Sequence, residues 1–124
     1  TTWLGQITNA IGEFGSASTH TNLNTWVTVN LQRSYNNPVI VSSYTYFGTA
    51  PFTVRFKDFT GSTFKMKGAE PPNMDLHHLT EIVSFIVLEA GVHTLADGTK
   101  LVAGLLNVTG HNIQTSTGGM SALN

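Results

Sequence analysis

Phe52-Thr53-Val54-Arg55-Phe56-Lys57, the turn Thr60-Gly61-Ser62, and Phe64-Lys65-Met66-Lys67 form the stretch whose reading decides the fold. In each arm bulky apolar residues alternate with polar ones. That period of two is the mark of a half-buried strand, and a glycine-centred turn between two such arms predicts an antiparallel hairpin. Phe52, Val54, Phe56, Phe64 and Met66 form its inner face. Arg55, Lys57, Lys65 and Lys67 collect on the outer face, and a solvated surface is the plain reading of that cationic set.

The same period recurs on either side. Trp26-Val27-Thr28-Val29-Asn30-Leu31 predicts a strand with Val27, Val29 and Leu31 on one face. Asn36-Asn37-Pro38 is a turn, because proline fixes its own φ and restrains the residue before it. Pro38 then opens a strand through Val39-Ile40-Val41 to Thr45, the place in a strand where its missing donor matters least. Thr80 to Glu89, with the run Ile82-Val83-Ser84-Phe85-Ile86-Val87-Leu88-Glu89, predicts a strand nearly continuous in apolar residues. That suits a central strand buried on both faces, or one with a face in the core and a face in a subunit contact. Thr2-Trp3-Leu4-Gly5-Gln6-Ile7-Thr8 predicts a first strand.

Two long connections separate these strands. Asn9 to Asn24, rich in glycine and small polar residues, reads as a surface loop. Gly68 to Leu79 is the second loop and the densest polar and ionisable stretch of the chain. Beyond Gly91, Asp97-Gly98 signals a further hairpin. The residues from Gly110 onward are Thr-, Ser-, Gly- and Asn-rich, the composition of a linker or a partner-dependent arm.

Composition narrows the function classes. A chain of 124 residues is expected to form one domain and to bury about two-thirds of its unfolded surface. It has no cysteine, which excludes disulfides, thiolate catalysis and cysteine-type zinc sites. Charged residues are only 10% of the chain, against a usual value of about 25%. Polarity carried instead by Thr, Ser, Asn and Gly suits a secreted or surface-exposed all-β module. A net charge of −1 does not suit a phosphate-tracking surface, so nucleic acid is not an expected partner. No apolar run approaches the ~20 residues of a membrane span, so membrane insertion is not expected.

Nucleophile-elbow, phosphate-loop and zinc-protease motifs are absent from the sequence. Glu70 and Asp75 are the pair that a glycosidase reading would use, but one loop does not set two carboxylates across a cleft. The expectation is therefore a non-catalytic protein without a cofactor or metal. Asp75 and His77 lie two apart and share a face in an extended chain, whereas His77 and His78 point to opposite faces. The Asp75–His77 pair can hydrogen-bond a sugar, hold a metal weakly, or form a surface ion pair. Asn73 beside them, with Tyr44, Tyr46 and Phe47, adds side chains that suit sugar hydroxyls and sugar faces. The same residues would serve equally as a protein-contact rim.

The order of these elements resembles the H-type lectin domain, the family of snail agglutinins and of the discoidin C-terminal module. The resemblance rests on Leu4-Gly5-Gln6-Ile7, Trp26–Leu31, Asn37-Pro38-Val39-Ile40-Val41, Val54-Arg55-Phe56 leading to Thr60-Gly61-Ser62-Thr63-Phe64, and Val83–Glu89. It implies a small antiparallel β-sandwich of about six strands over residues 1–90; residues 91–124 lie outside the resemblance and read from their own sequence as a C-terminal hairpin and extension. It also implies a trimer that binds a glycan of galactose or N-acetylgalactosamine type near its subunit interfaces. The expected ligand-binding residues are Asn73, Asp75 and His77, walled by Tyr46 or Arg55 of a neighbouring protomer. Two other readings stand beside this one: a structural trimerisation or tip domain of a phage fibre or bacterial surface protein, and an accessory carbohydrate-binding module of a polysaccharide-degrading enzyme.

Overall fold

A computed structural model describes residues 3–6 and 11–105. Within them the chain is all-β and its strands pair antiparallel throughout. In chain order they are β1 (Trp3–Gln6), β2 (Gly12–Ser18), β3 (Val27–Asn30), β4 (Pro38–Tyr44), β5 (Thr53–Lys57), β6 (Thr63–Ala69), β7 (Ile82–Glu89), β8 (Gly91–Thr94) and β9 (Lys100–Ala103). One sheet has the order β1-β2-β7-β4, a second β3-β6-β5, and β8 pairs with β9 alone.

The two larger sheets face each other. Val29, Phe64 and Met66 of one meet Ala17, Val83, Phe85 and Val87 of the other in a single buried cluster. The rings of Phe64 and Phe85 cross at 86° with centroids 5.4 Å apart, an edge-to-face contact that joins the sheets at their centre. Val27, Leu31, Val54 and Phe56 pack around that cluster, as their alternation requires. The expected hairpin is present with Val54 opposite Gly68 and Phe56 opposite Met66. Gly61 makes its turn possible. Its φ of 92° lies in the left-handed region, and a Cβ there would stand 2.7 Å from the carbonyl oxygen of Tyr35. Pro38 begins β4, and Asp97-Gly98 lies in the β8–β9 connection.

One expectation is overturned. The segment read as a loop, Asn9 to Asn24, contains β2, which pairs with β1 on one side and with β7 along its whole length on the other. Its inward positions are Glu13, Gly15 and Ala17, too small or too polar to show an apolar alternation. Gly15 pairs with Phe85, so the missing side chain leaves room in the core for a large neighbouring ring. Glu13 is fully buried. Its carboxylate accepts hydrogen bonds from the backbone N–H groups of Gln32 and Arg33 and from the Tyr35 hydroxyl, at 2.9, 3.1 and 3.0 Å. The acid thus ties the middle of one sheet to the β3–β4 connection, and each of its oxygens has a hydrogen-bond donor.

β7 is central, between β2 and β4, but only one of its faces enters the core. Val83, Phe85 and Val87 are buried, whereas Ile82 and Ile86 are 42% and 43% exposed. Phe14 of β2 and Val41 of β4 stand directly opposite Ile86, so an apolar row crosses the outer face of this sheet. Ser16, Ser84 and Ser43 form the next row, and an open depression of about 480 Å³ lies over both.

Candidate functional site

The connections β2–β3, β4–β5 and β6–β7 are fastened together around one buried carboxylate. Glu81, fully buried just before β7, accepts from the backbone N–H groups of Phe47 and Gly48 at 2.7 and 3.1 Å through Oε1. Its Oε2 accepts from the Thr45 hydroxyl at 2.6 Å. Thr19 closes the third side: its N–H donates to the Glu81 carbonyl, and its hydroxyl oxygen accepts from the Glu81 N–H. Burial alone would raise the Glu81 carboxyl. The hydrogen bonds from Thr45, Gly48, Phe47 and His78 outweigh burial and hold it below the ordinary glutamate value.

His78 occupies the centre of this assembly. Its Nε2 lies 3.0 Å from Glu81 Oε1 and its Nδ1 3.1 Å from Glu70 Oε1. Both nitrogens thus face a carboxylate oxygen, an arrangement that a doubly protonated imidazole satisfies with two donated hydrogen bonds. The ring lies on that of Phe52, centroids 4.3 Å apart and planes 18° from parallel. On the other side is Gly48, where a Cβ would come within 2.4 Å of the imidazole. Only glycine lets the β4–β5 connection pass so close.

Above this base the loop residues line an open cleft of about 780 Å³. Asn73, Asp75, His77, Thr21 and Thr49 supply its polar wall, and Phe47, Met74 and Leu79 its apolar one. Phe47 and Leu79 are 63% and 59% exposed. The wall has its own local order. Asp75 Oδ1 accepts from the His77 N–H at 3.0 Å, and Leu76 between them takes a left-handed φ of 62°. That turn lets His77 bridge to Asn22, while the N–H of His78 donates to the Thr21 carbonyl. His77 consequently faces the cleft and solvent while His78 faces inward, the opposition expected of adjacent residues in an extended chain.

The structure therefore brings three of the expected residues, Asn73, Asp75 and His77, to one cleft. Tyr46 of the same chain does not line it: its hydroxyl donates to the Ala50 carbonyl and closes the β4–β5 connection. Arg55 stands on the outer face of the second sheet, at a smaller cleft of about 390 Å³ lined also by Thr53, Glu70, Pro71 and Pro72. Glu70 and Asp75 line different clefts, so they do not face one another across a common substrate space.

Sequence reasoning missed Glu81, Thr45 and Thr19. A buried acid is recognisable only from the donors around it, and here Thr45, Phe47 and Gly48 are each more than 30 positions away. Phe47 carried a signal as part of the aromatic run after β4. No protein family, no curated protein and no solved structure matches this chain.

Proposed function

We propose that this protein is a non-catalytic glycan-binding module whose ligand sits in the cleft lined by Asn73, Asp75 and His77. The observation that carries this reading is the pairing of an exposed polar and aromatic wall with a rigid buried base. Asn73, Asp75, His77, Thr21 and Thr49 offer donors and acceptors to vicinal hydroxyls, and Phe47 offers a ring to the apolar face of a sugar. The Glu81–His78–Glu70 network beneath fixes the loops, which lowers the ordering cost of binding. The galactose or N-acetylgalactosamine preference in this proposal rests on the sequence resemblance.

Assembly belongs to the same proposal. The apolar row Phe14, Ile86 and Val41 on the outer face of the β1-β2-β7-β4 sheet supports a contact between protomers, and a secreted or surface-exposed trimer would present several weak sites together. That face also favours the second reading, a structural tip or trimerisation domain without a sugar site. A glycan array read beside light scattering separates the two. Galactose- or N-acetylgalactosamine-terminated glycans captured by a trimer support the first reading. An intact trimer that captures no glycan favours the second, and a monomer at micromolar concentration removes the assembly from both.

A further inference from the structure

The outer face of the β3-β6-β5 sheet concentrates the chain's cations. Arg55, Lys57, Lys65 and Lys67 all project there, four of the six Lys and Arg residues in the sequence. They stand in register, Arg55 opposite Lys67 and Lys57 opposite Lys65. Like charges placed directly opposite destabilise a sheet, so this pattern works against the fold that carries it. The neighbouring outward positions on the three strands, Thr28, Asn30, Thr53 and Thr63, are neutral hydrogen-bonding residues, and none is acidic. Asp58, at the end of β5, lies 3.9 Å from Lys57 and 3.6 Å from Lys65. Among the described residues neither Arg55 nor Lys67 has an ion-pair partner.

The ammonium groups are also positioned. Lys57 Nζ and Lys67 Nζ lie 4.2 and 4.9 Å from the centroid of the Trp26 ring, which holds two long flexible side chains near one point. Strand geometry sets the four Cα positions about 7 Å apart along a strand and about 5 Å across. Arg55 continues this patch into the cleft beside Thr53, Pro71 and Pro72.

We propose that this face binds an acidic polysaccharide bearing sulfate groups. The sulfates pair with Arg55, Lys65 and Lys67, and Thr28, Thr53 and Asn30 take the hydroxyls between them. A patch two residues long on each strand neutralises few charges. In a chain of net charge −1 it generates no long-range field suited to nucleic acid. Alternation of fixed cations with neutral hydroxyl and amide groups matches a sugar chain that alternates anionic substituents with hydroxyls. This surface is separate from the cleft at Asp75, so either site can fail without the other.

The test is calorimetric titration with dextran sulfate, neutral dextran and a DNA duplex of equal charge. The intact chain is expected to bind dextran sulfate at low salt, to release it near about 0.5 M salt, and to ignore neutral dextran. The double substitution Lys65→Gln/Lys67→Gln should weaken binding by about tenfold or more, and Arg55→Gln should weaken it independently. Lys100→Gln on β9 should leave it unchanged. The proposal is overturned if dextran sulfate does not bind, if both cation-face variants bind like the parent, or if the DNA duplex binds as tightly as dextran sulfate.

Discussion

His78 and Glu81, three residues apart, are joined by a 3.0 Å contact between Nε2 and Oε1 that is closed to solvent. Around it are Thr19 from the end of β2, Thr45 and Gly48 from the β4–β5 connection, and Glu70 from the end of β6. One buried pair therefore fixes the three loops that build the cleft. His78→Ala would leave the Glu70 carboxylate without its hydrogen-bond partner and take one of four partners from Glu81, which keeps Thr45, Phe47 and Gly48, and should cost about 1–3 kcal/mol. Gly48→Ala should destabilise in the same direction, since its Cβ would displace the imidazole. Urea unfolding of both variants checks this, and midpoints equal to the parent's would separate the loops from the pair.

Glu81 also predicts the acid limb of stability. Its folded carboxyl titrates below the ordinary glutamate value of 4.5. A depressed carboxyl contributes stability that is present above that ordinary value and is lost as pH falls through the folded one. Thr45→Val removes the hydroxyl that donates to Oε2, so the acid unfolding midpoint should move to higher pH. Circular dichroism during acid titration of parent and variant measures the displacement.

Tyr35 governs the opposite limb. Burial, and then the hydrogen bond to Glu13, push its phenol well above the usual tyrosine value of 10. A raised phenol contributes stability that is present below pH 10 and is lost as pH rises through the folded value. Ultraviolet difference titration should show Tyr35 ionising together with unfolding. Tyr35→Phe removes the donor to Glu13 Oε1 and should cost about 1–3 kcal/mol at neutral pH.

Neighbouring residues on β7 should respond oppositely to charge. Phe85 is 2% exposed in the core, and Val29 on the facing sheet is 1% exposed. Phe85→Asp and Val29→Asp each bury an unpaired carboxylate at a cost of several kcal/mol, comparable with a domain's stability of roughly 5–15 kcal/mol, and should prevent folding. Ile86→Asp points outward, so it should fold and melt cooperatively, and at the proposed protomer contact it should abolish assembly. Melting curves and light scattering on the three variants separate core from contact face.

Where side-chain alternation reports burial, the sequence was a sufficient guide. Val27 and Val29, Val54 and Phe56, and Phe64 and Met66 all face inward as their spacing demands, and Pro38 and Asp97-Gly98 mark a strand start and a turn. β2 was not legible because its inward residues are Glu13, Gly15 and Ala17: Gly15 leaves room beside Phe85, and Glu13 satisfies donors from Gln32, Arg33 and Tyr35. Its length did carry a signal: a structureless stretch beyond about 12–15 residues is unusual inside a small domain. The candidate site was legible only where it is local in sequence. Asn73, Asp75 and His77 come from one loop and meet in one cleft, whereas the Tyr46 hydroxyl closes its own connection on Ala50 and Arg55 stands on the outer face of the β5–β6 hairpin at another cleft.

The most direct test of the account is binding of the parent, Asp75→Ala and His77→Ala to an immobilised set of galactose- and N-acetylgalactosamine-terminated glycans. The account predicts parent binding at about millimolar affinity per site, ~4 kcal/mol, and loss of capture in both variants with unchanged melting curves. A parent that captures no glycan, or variants that retain full affinity, would contradict it.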